Sequence, residues 1–127
     1  MSEIARVIRL KANGRSDSGL GPWGDITQAN IVSGEARERS EEFVNKLMPQ
    51  GCLRAGVWEA KAYTEKLVDY PCDEFMVVLE GSCTIVEEDG NREAFSQGDC
   101  FFLPRGFNGY WEQQETMKKY YMIVADN

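Results

Sequence analysis

Two segments carry the strongest structural signal in this chain: YPCDEFMVVLEG at residues 70–81 and GDCFFLPRG at residues 98–106. Each contains a short apolar run that ends at a turn, because glycine tolerates the left-handed backbone of a chain reversal and proline interrupts a strand. Between the two segments, Asp89-Gly90-Asn91 is a strong hairpin signal. Together these features predict antiparallel β-strands joined by tight turns.

The same pattern continues on both sides of these segments. We expect short strands at residues 53–60, 62–68, 74–79, 83–87, 92–95, 100–103, 109–112 and 117–124. Short strands at this spacing, with no helix-length apolar repeat among them, indicate a β-sandwich or a β-barrel. The predicted fold class is therefore all-β.

The first 50 residues are harder to interpret. Residues 1–12 alternate loosely and are expected as an edge strand, residues 13–24 form a glycine-rich loop, and residues 26–32 are a weak strand candidate. In residues 34–49, either a short helix or an extended strand anchored by Phe43 and Val44 fits the pattern. We expect residues 1–50 to be an N-terminal extension of the same domain, and residues 51–127 to form the barrel.

Composition and charge narrow the class of protein. A chain of 127 residues with 43% hydrophobic and 28% charged residues is typical of one globular domain. Its net charge of −7 repels phosphate backbones and anionic lipid, so neither nucleic acid nor a membrane is expected as a partner. Residues 1–10 lack the apolar core of a secretory signal, so we expect a cytoplasmic protein with reduced cysteines.

The two segments resemble the paired motifs of the cupins, a family of jelly-roll barrels. Six residues separate Glu74 from Gly81 and five separate Gly98 from Pro104, as the two cupin motifs require. Further stretches, namely GVWEA at 56–60, PRGF at 104–107 and KYY at 119–121, are similar to the small single-domain cupins related to (S)-ureidoglycine aminohydrolase and to the ethanolamine-utilisation cupin. This resemblance implies a double-stranded β-helix, with the N-terminal extension packed on the sheet or on a partner subunit.

A metal-binding cupin takes two histidines and a glutamate from the first motif and one histidine from the second. The resemblance places Glu74 at the glutamate position, whereas the histidine positions fall on Val68, Tyr70 and Gly109 in a chain without any histidine. Imidazole is the commonest ligand for such ions. We therefore expect no metal or other cofactor, and a hard divalent ion held by Glu74 and neighbouring oxygens is the less favoured alternative.

The interior of the barrel is the candidate site. If Glu74 points inward, an inward carboxylate needs a partner at low dielectric, and Lys119 on the last strand is the best candidate. We predict Glu74 and Lys119 as the catalytic groups if the protein is an enzyme, and as the centre of a binding pocket otherwise. The predicted ligand-binding side chains around them are Tyr63, Tyr70, Met76, Trp111 and Tyr121. The alternative is a filled barrel in which the aromatic residues are core and Glu74–Lys119 is a buried pair.

The outward face of the strand that carries Glu74 predicts an interface. With Glu74 and Met76 inward, alternation turns Phe75, Val77 and Leu79 outward, and an outward apolar row needs a cover. Either the first 50 residues or a second subunit would provide it. Cupins of this kind commonly pair sheet against sheet, so the resemblance implies a homodimer.

Four functions remain open, one of which is an accessory or kinase-like role with phosphate chemistry that the ethanolamine-utilisation resemblance suggests. We favour a small-molecule-binding cupin with its pocket centred on Glu74 and without the histidine ligands. The first alternative is a hydrolase or isomerase that acts on a ureido or amino metabolite, with Glu74 and Lys119 as acid–base groups. The second is a non-catalytic structural or regulatory dimer.

Overall fold

The computed structural model describes residues 4–27 and 30–126, and these residues form eleven β-strands and no α-helix. The strands are β1 (Gly24–Asp25), β2 (Asn30–Gly34), β3 (Arg37–Met48), β4 (Gly51–Ala60), β5 (Tyr63–Leu67), β6 (Asp73–Glu80), β7 (Ser82–Glu87), β8 (Arg92–Ser96), β9 (Cys100–Leu103), β10 (Gly109–Gln113) and β11 (Met117–Ala125). The all-β prediction is confirmed. Within these ranges there is no helix that would span a membrane.

The strands build two antiparallel sheets that face each other. The six-stranded sheet has the order β1-β3-β4-β11-β6-β9, and the five-stranded sheet has the order β2-β5-β10-β7-β8. Strands far apart in sequence lie side by side, such as β4 with β11 and β5 with β10. This arrangement is the predicted jelly roll.

Glycine turns join the strands where the sequence predicts them. Gly81 and Gly98 both adopt the left-handed region, with φ of 76° and 92°. At the hairpin between β7 and β8, Gly90 has a φ of 90° and the Asn91 amide donates a hydrogen bond of 2.9 Å to the Asp89 side chain. The predicted hairpin is therefore confirmed.

Side chains alternate across the sheets as expected for half-buried strands. On β6, Glu74, Met76 and Val78 are buried between the sheets, whereas Phe75 is 39% exposed on the outer side. The inner faces form one apolar core, to which these buried side chains contribute: Tyr63, Leu67, Met76, Val78, Ile85, Phe101, Leu103, Trp111 and Met117. The interior direction predicted for Glu74 thus follows from the register of β6.

The N-terminal extension contributes a full strand to the six-stranded sheet. β3 pairs with β4 along its length, and Phe43 packs against Leu20 and Val57. Of the two interpretations of residues 34–49, the extended one is confirmed and the helix is wrong, because the backbone of β3 is hydrogen-bonded to β4.

Residues 4–12 form no strand, so the predicted edge strand is wrong for that stretch, and residues 1–3 lie outside the described residues. Three of the apolar side chains that suggested the strand, those of Ile4, Val7 and Ile8, remain exposed, and Val7 is 99% exposed. Without a cross-strand neighbour their alternation has no stabilising effect. The strand predicted at residues 26–32 is observed later, as β2, and residues 28–29 of the prediction lie outside the described residues.

The extension covers only part of the outer face of the six-stranded sheet. Its Leu10, Leu20 and Phe43 pack near Val57 and Tyr120. The side chains that remain exposed lie on β6, β9 and β11, and they are Phe75, Phe102, Met122 and Val124. The homodimer that this outward apolar row suggests stays a prediction.

Candidate functional site

A cavity of about 400 Å³ lies between the two sheets. Its aromatic walls come from β4, β5, β10, β11 and the segment before β6, and they are Trp58, Tyr63, Tyr70, Trp111 and Tyr121. Its charged walls are Glu38, Arg54, Glu65, Glu74 and Lys119. Apolar walls with a few converging polar groups are typical of a small-molecule site.

A buried ion pair forms the centre of the cavity wall. The Lys119 Nζ lies 2.9 Å from Glu74 Oε2, and both side chains are more than nine-tenths buried. The Tyr70 hydroxyl donates a hydrogen bond of 2.5 Å to the other oxygen, Glu74 Oε1. The carboxylate therefore has a partner on each oxygen, which compensates for the loss of water.

Two tryptophans surround the ammonium of that pair. Lys119 Nζ lies 4.6 Å from the ring centroid of Trp58 and 4.9 Å from that of Trp111. It also lies 2.9 Å from Met76 Sδ. The aromatic faces carry partial negative charge, so they stabilise the buried cation.

Burial keeps the phenols of the cavity protonated. It raises the pKa of Tyr70 far above its usual range, and the neighbouring Glu74 raises it further. Burial, followed by the charge of Glu65, also raises the pKa of Tyr63. At neutral pH both side chains are hydrogen-bond donors rather than bases.

The sequence-based prediction missed two further carboxylates that line the cavity, those of Glu38 and Glu65. The Trp58 Nε1 donates a hydrogen bond of 2.8 Å to Glu38, and the Tyr63 hydroxyl donates one of 3.3 Å to Glu65. Burial raises the pKa of Glu65, and the negative charge of Glu38 adds to that effect. Glu65 shares an inward face with Tyr63, so alternation on β5 was the signal that would have found it.

Six of the seven predicted site residues line one cavity: Tyr63, Tyr70, Glu74, Trp111, Lys119 and Tyr121. The seventh, Met76, is fully buried behind Lys119 and does not line the cavity. The structure thus brings the predicted groups together. Trp111 and the Glu74–Lys119 pair are buried, as the filled-barrel alternative expects, but a cavity remains beside them.

The residues at the metal position do not fit a transition metal. Of the three histidine positions, Val68 is 55% exposed and has no donor atom, Gly109 has no side chain, and Tyr70 is a protonated phenol that donates its hydrogen bond to Glu74. The ammonium of Lys119 lies against the one retained ligand, Glu74, and would repel a cation there. Across residues 4–27 and 30–126, no group of three or more potential metal ligands converges.

Two buried cysteines near the barrel interior are poor nucleophiles. Burial raises the pKa of Cys72 to about 11, and the charge of Glu74 contributes to the increase. Burial also raises the pKa of Cys83 to about 12. Because the thiolate is the reactive form, we assign both thiols to packing.

The two-sheet jelly roll, with its interior cavity and a glutamate at the first-motif position, defines a cupin. More narrowly, the chain belongs to the family of EutQ-like cupin domains, whose family model matches residues 47–121. This confirms the predicted resemblance on its ethanolamine-utilisation side. The likeness to (S)-ureidoglycine aminohydrolase stays a prediction.

Solved structures support the fold. The EutQ protein of Clostridium difficile is 20% identical, with a TM-score of 0.57 over 72% of this chain and 70% of that chain. A putative ethanolamine utilization protein Q from Salmonella typhimurium LT2 is 20% identical, with a TM-score of 0.57 over 71% of each chain. A protein of unknown function from Pseudomonas syringae pv. tomato is 23% identical, with a TM-score of 0.67 over 82% of this chain and 43% of that chain. No curated protein matches this sequence.

Proposed function

We propose that this cupin binds a small polar molecule in the cavity around Glu74 and Lys119, and that it does so without a metal ion. One observation carries the proposal: an open interior cavity is lined by an ion pair in which both side chains are more than nine-tenths buried. A buried ion pair is weak evidence for stability, because well-packed apolar residues often serve as well or better. A charged pair that faces an open cavity is therefore better explained by a ligand.

Acid–base catalysis is the second candidate function. The resemblance to (S)-ureidoglycine aminohydrolase suggests a ureido or amino metabolite as the substrate, and Lys119 lines the same cavity as Glu74. Binding is favoured over catalysis because Tyr70 and Lys119 already occupy one lone pair on each Glu74 oxygen. A purely structural dimer would leave the open cavity without a role.

A thermal-shift screen of amines, carboxylates and ureido compounds tests the proposal. We expect at least one compound to raise the unfolding midpoint, by the equivalent of about 2.7 kcal/mol at a hundred times its Kd. The variant Ser40→Trp should lose this effect, because Ser40 lines the cavity and an indole there would occupy part of it. The matched control Ser96→Trp places the same indole on β8, away from the cavity, and should keep the effect.

The comparison of the two tryptophan variants is decisive. Stabilisation that persists undiminished in Ser40→Trp would show that the compound binds elsewhere. A screen in which no compound stabilises the wild-type protein would count against the binding function itself.

A further inference from the structure

The charges that line the cavity do not balance. Three carboxylates face two cations, and each cation already has a partner. Lys119 is paired with Glu74, and the Nε of Arg54 lies 2.6 Å from Glu42, which is outside the cavity lining. The two remaining carboxylates, Glu38 and Glu65, form no salt bridge with any residue in the described part of the chain.

These two carboxylates reach the cavity from opposite sheets. Glu38 lies on β3 of the six-stranded sheet, and Glu65 lies on β5 of the five-stranded sheet. Each is held by one neutral donor, Trp58 for Glu38 and Tyr63 for Glu65. A carboxylate accepts up to about four hydrogen bonds, so both keep free acceptor positions.

The carboxylates of Glu38 and Glu65 line the same cavity. Burial raises the pKa of Glu65 most, and the negative charge of Glu38 raises it further, whereas the hydrogen bond from Tyr63 and the charge of Lys119 lower it. Like charges at low dielectric cost free energy unless a cation lies between them. A ligand that brings one positive charge would remove this repulsion.

The chemistry of the walls suits such a ligand. The ammonium of Lys119 lies against the aromatic faces of Trp58 and Trp111, and such faces are favourable surroundings for a cation. A volume of about 400 Å³ leaves room for a second, small one.

We propose that the ligand of this cavity carries a protonated amine, which binds between the carboxylates of Glu38 and Glu65. The inference rests on the proposed binding function and specifies the charge class of the ligand. The aromatic walls would contact the apolar part of the molecule.

Three probes of equal chain length test the charge preference: n-butylammonium, n-butanol and butyrate. We expect n-butylammonium to raise the unfolding midpoint in a saturable manner, and the neutral and anionic probes to have no effect. Glu65→Gln should weaken its binding about tenfold, because the amide keeps the bond to Tyr63 and removes a charge-assisted hydrogen bond. Glu38→Gln provides a second, independent variant with the same expected loss.

The matched control is Glu88→Gln, which makes the same change in net charge at an exposed position in the β7–β8 turn. We expect its affinity for n-butylammonium to stay within about twofold of the wild type, because an exposed and distant charge is screened by salt. An equal loss in Glu88→Gln would assign the effect to general surface attraction and overturn the proposal. Unchanged affinity in both Glu65→Gln and Glu38→Gln would do the same.

The outcomes separate this inference from the proposed function. If butyrate, butanol or a compound without an amine stabilises the wild type but not Ser40→Trp, the amine preference is wrong and cavity binding stands. The amine preference is also wrong, and cavity binding stands, if n-butylammonium does not bind while the compound screen gives a cavity ligand of another class. If no compound raises the unfolding midpoint of the wild type more than that of Ser40→Trp, both proposals fail.

Discussion

Replacing Lys119 with methionine will lower the free energy of unfolding by about 3–5 kcal/mol. Methionine keeps the unbranched shape and most of the length of the lysine side chain but leaves the Glu74 carboxylate buried, with only the Tyr70 hydroxyl as a partner. One neutral hydrogen bond does not compensate for a buried charge that has lost its counter-ion. Equilibrium unfolding in urea at neutral pH measures the loss.

The neighbouring lysine provides a matched control. Lys118 is as buried as Lys119, but it faces outward, and its carboxylate partner Glu80 is 66% exposed at a distance of 3.4 Å. In Lys118→Met the partner stays hydrated, so we expect a loss of only about 1 kcal/mol. Equal losses of unfolding free energy in Lys119→Met and Lys118→Met would show that Lys119 does not stabilise the charge of Glu74.

A double variant separates the charge from the packing. In Glu74→Gln with Lys119→Met, the buried charge is gone and the amide oxygen still accepts the Tyr70 hydrogen bond. We therefore expect it to recover at least about half of the loss of the single variant. A double variant that is less stable than Lys119→Met alone would contradict this explanation.

Replacing Gly81 with alanine will destabilise the protein by about 2–4 kcal/mol. Gly81 directly follows β6 and has a φ of 76°, a conformation that disfavours any residue with a Cβ. In addition, a Cβ at this position would overlap the carbonyl oxygen of Thr116 in the chain entering β11. Backbone cannot move aside as a flexible side chain can, so the strain and the overlap add.

Gly90→Ala is the control for strain alone. Gly90 has a similar φ of 90°, but nothing lies within 4 Å of the position that a Cβ would take. We expect it to cost about 1–2 kcal/mol, the price of the left-handed conformation for alanine. If both variants lose the same stability in urea unfolding, the close approach of Gly81 to Thr116 has no energetic role.

The barrel strands were predictable because local signals agree with the fold. From β4 to β11, glycines such as Gly81 and Gly90 lie at the chain reversals, and the alternation of Glu74, Met76 and Val78 gives the buried face. The inward direction of Glu74 requires a partner, and the alternation of the last strand leads to Lys119. The alternation of side chains along the two strands and the need of Glu74 for a counter-ion thus suffice to place Glu74 and Lys119 together.

The N-terminal half of the site was not predictable in the same way. Glu38 lies on β3, a largely polar strand whose sequence also fits a helix, and only its pairing with β4 makes it extended. Trp58 lies on a correctly predicted strand, but its contact with Glu38 depends on that same pairing. The open cavity depends on how all side-chain volumes pack together, which no local pattern reports.

The most direct test of ligand binding by this cupin is a crystal structure with a compound that the screen selects. We predict density for the compound inside the cavity, with a polar atom within hydrogen-bond distance of Glu38 or Glu65 and with Lys119 still paired to Glu74. Density for the compound only on the outer face of a sheet, or a cavity filled by rearranged side chains at saturating compound, would contradict it.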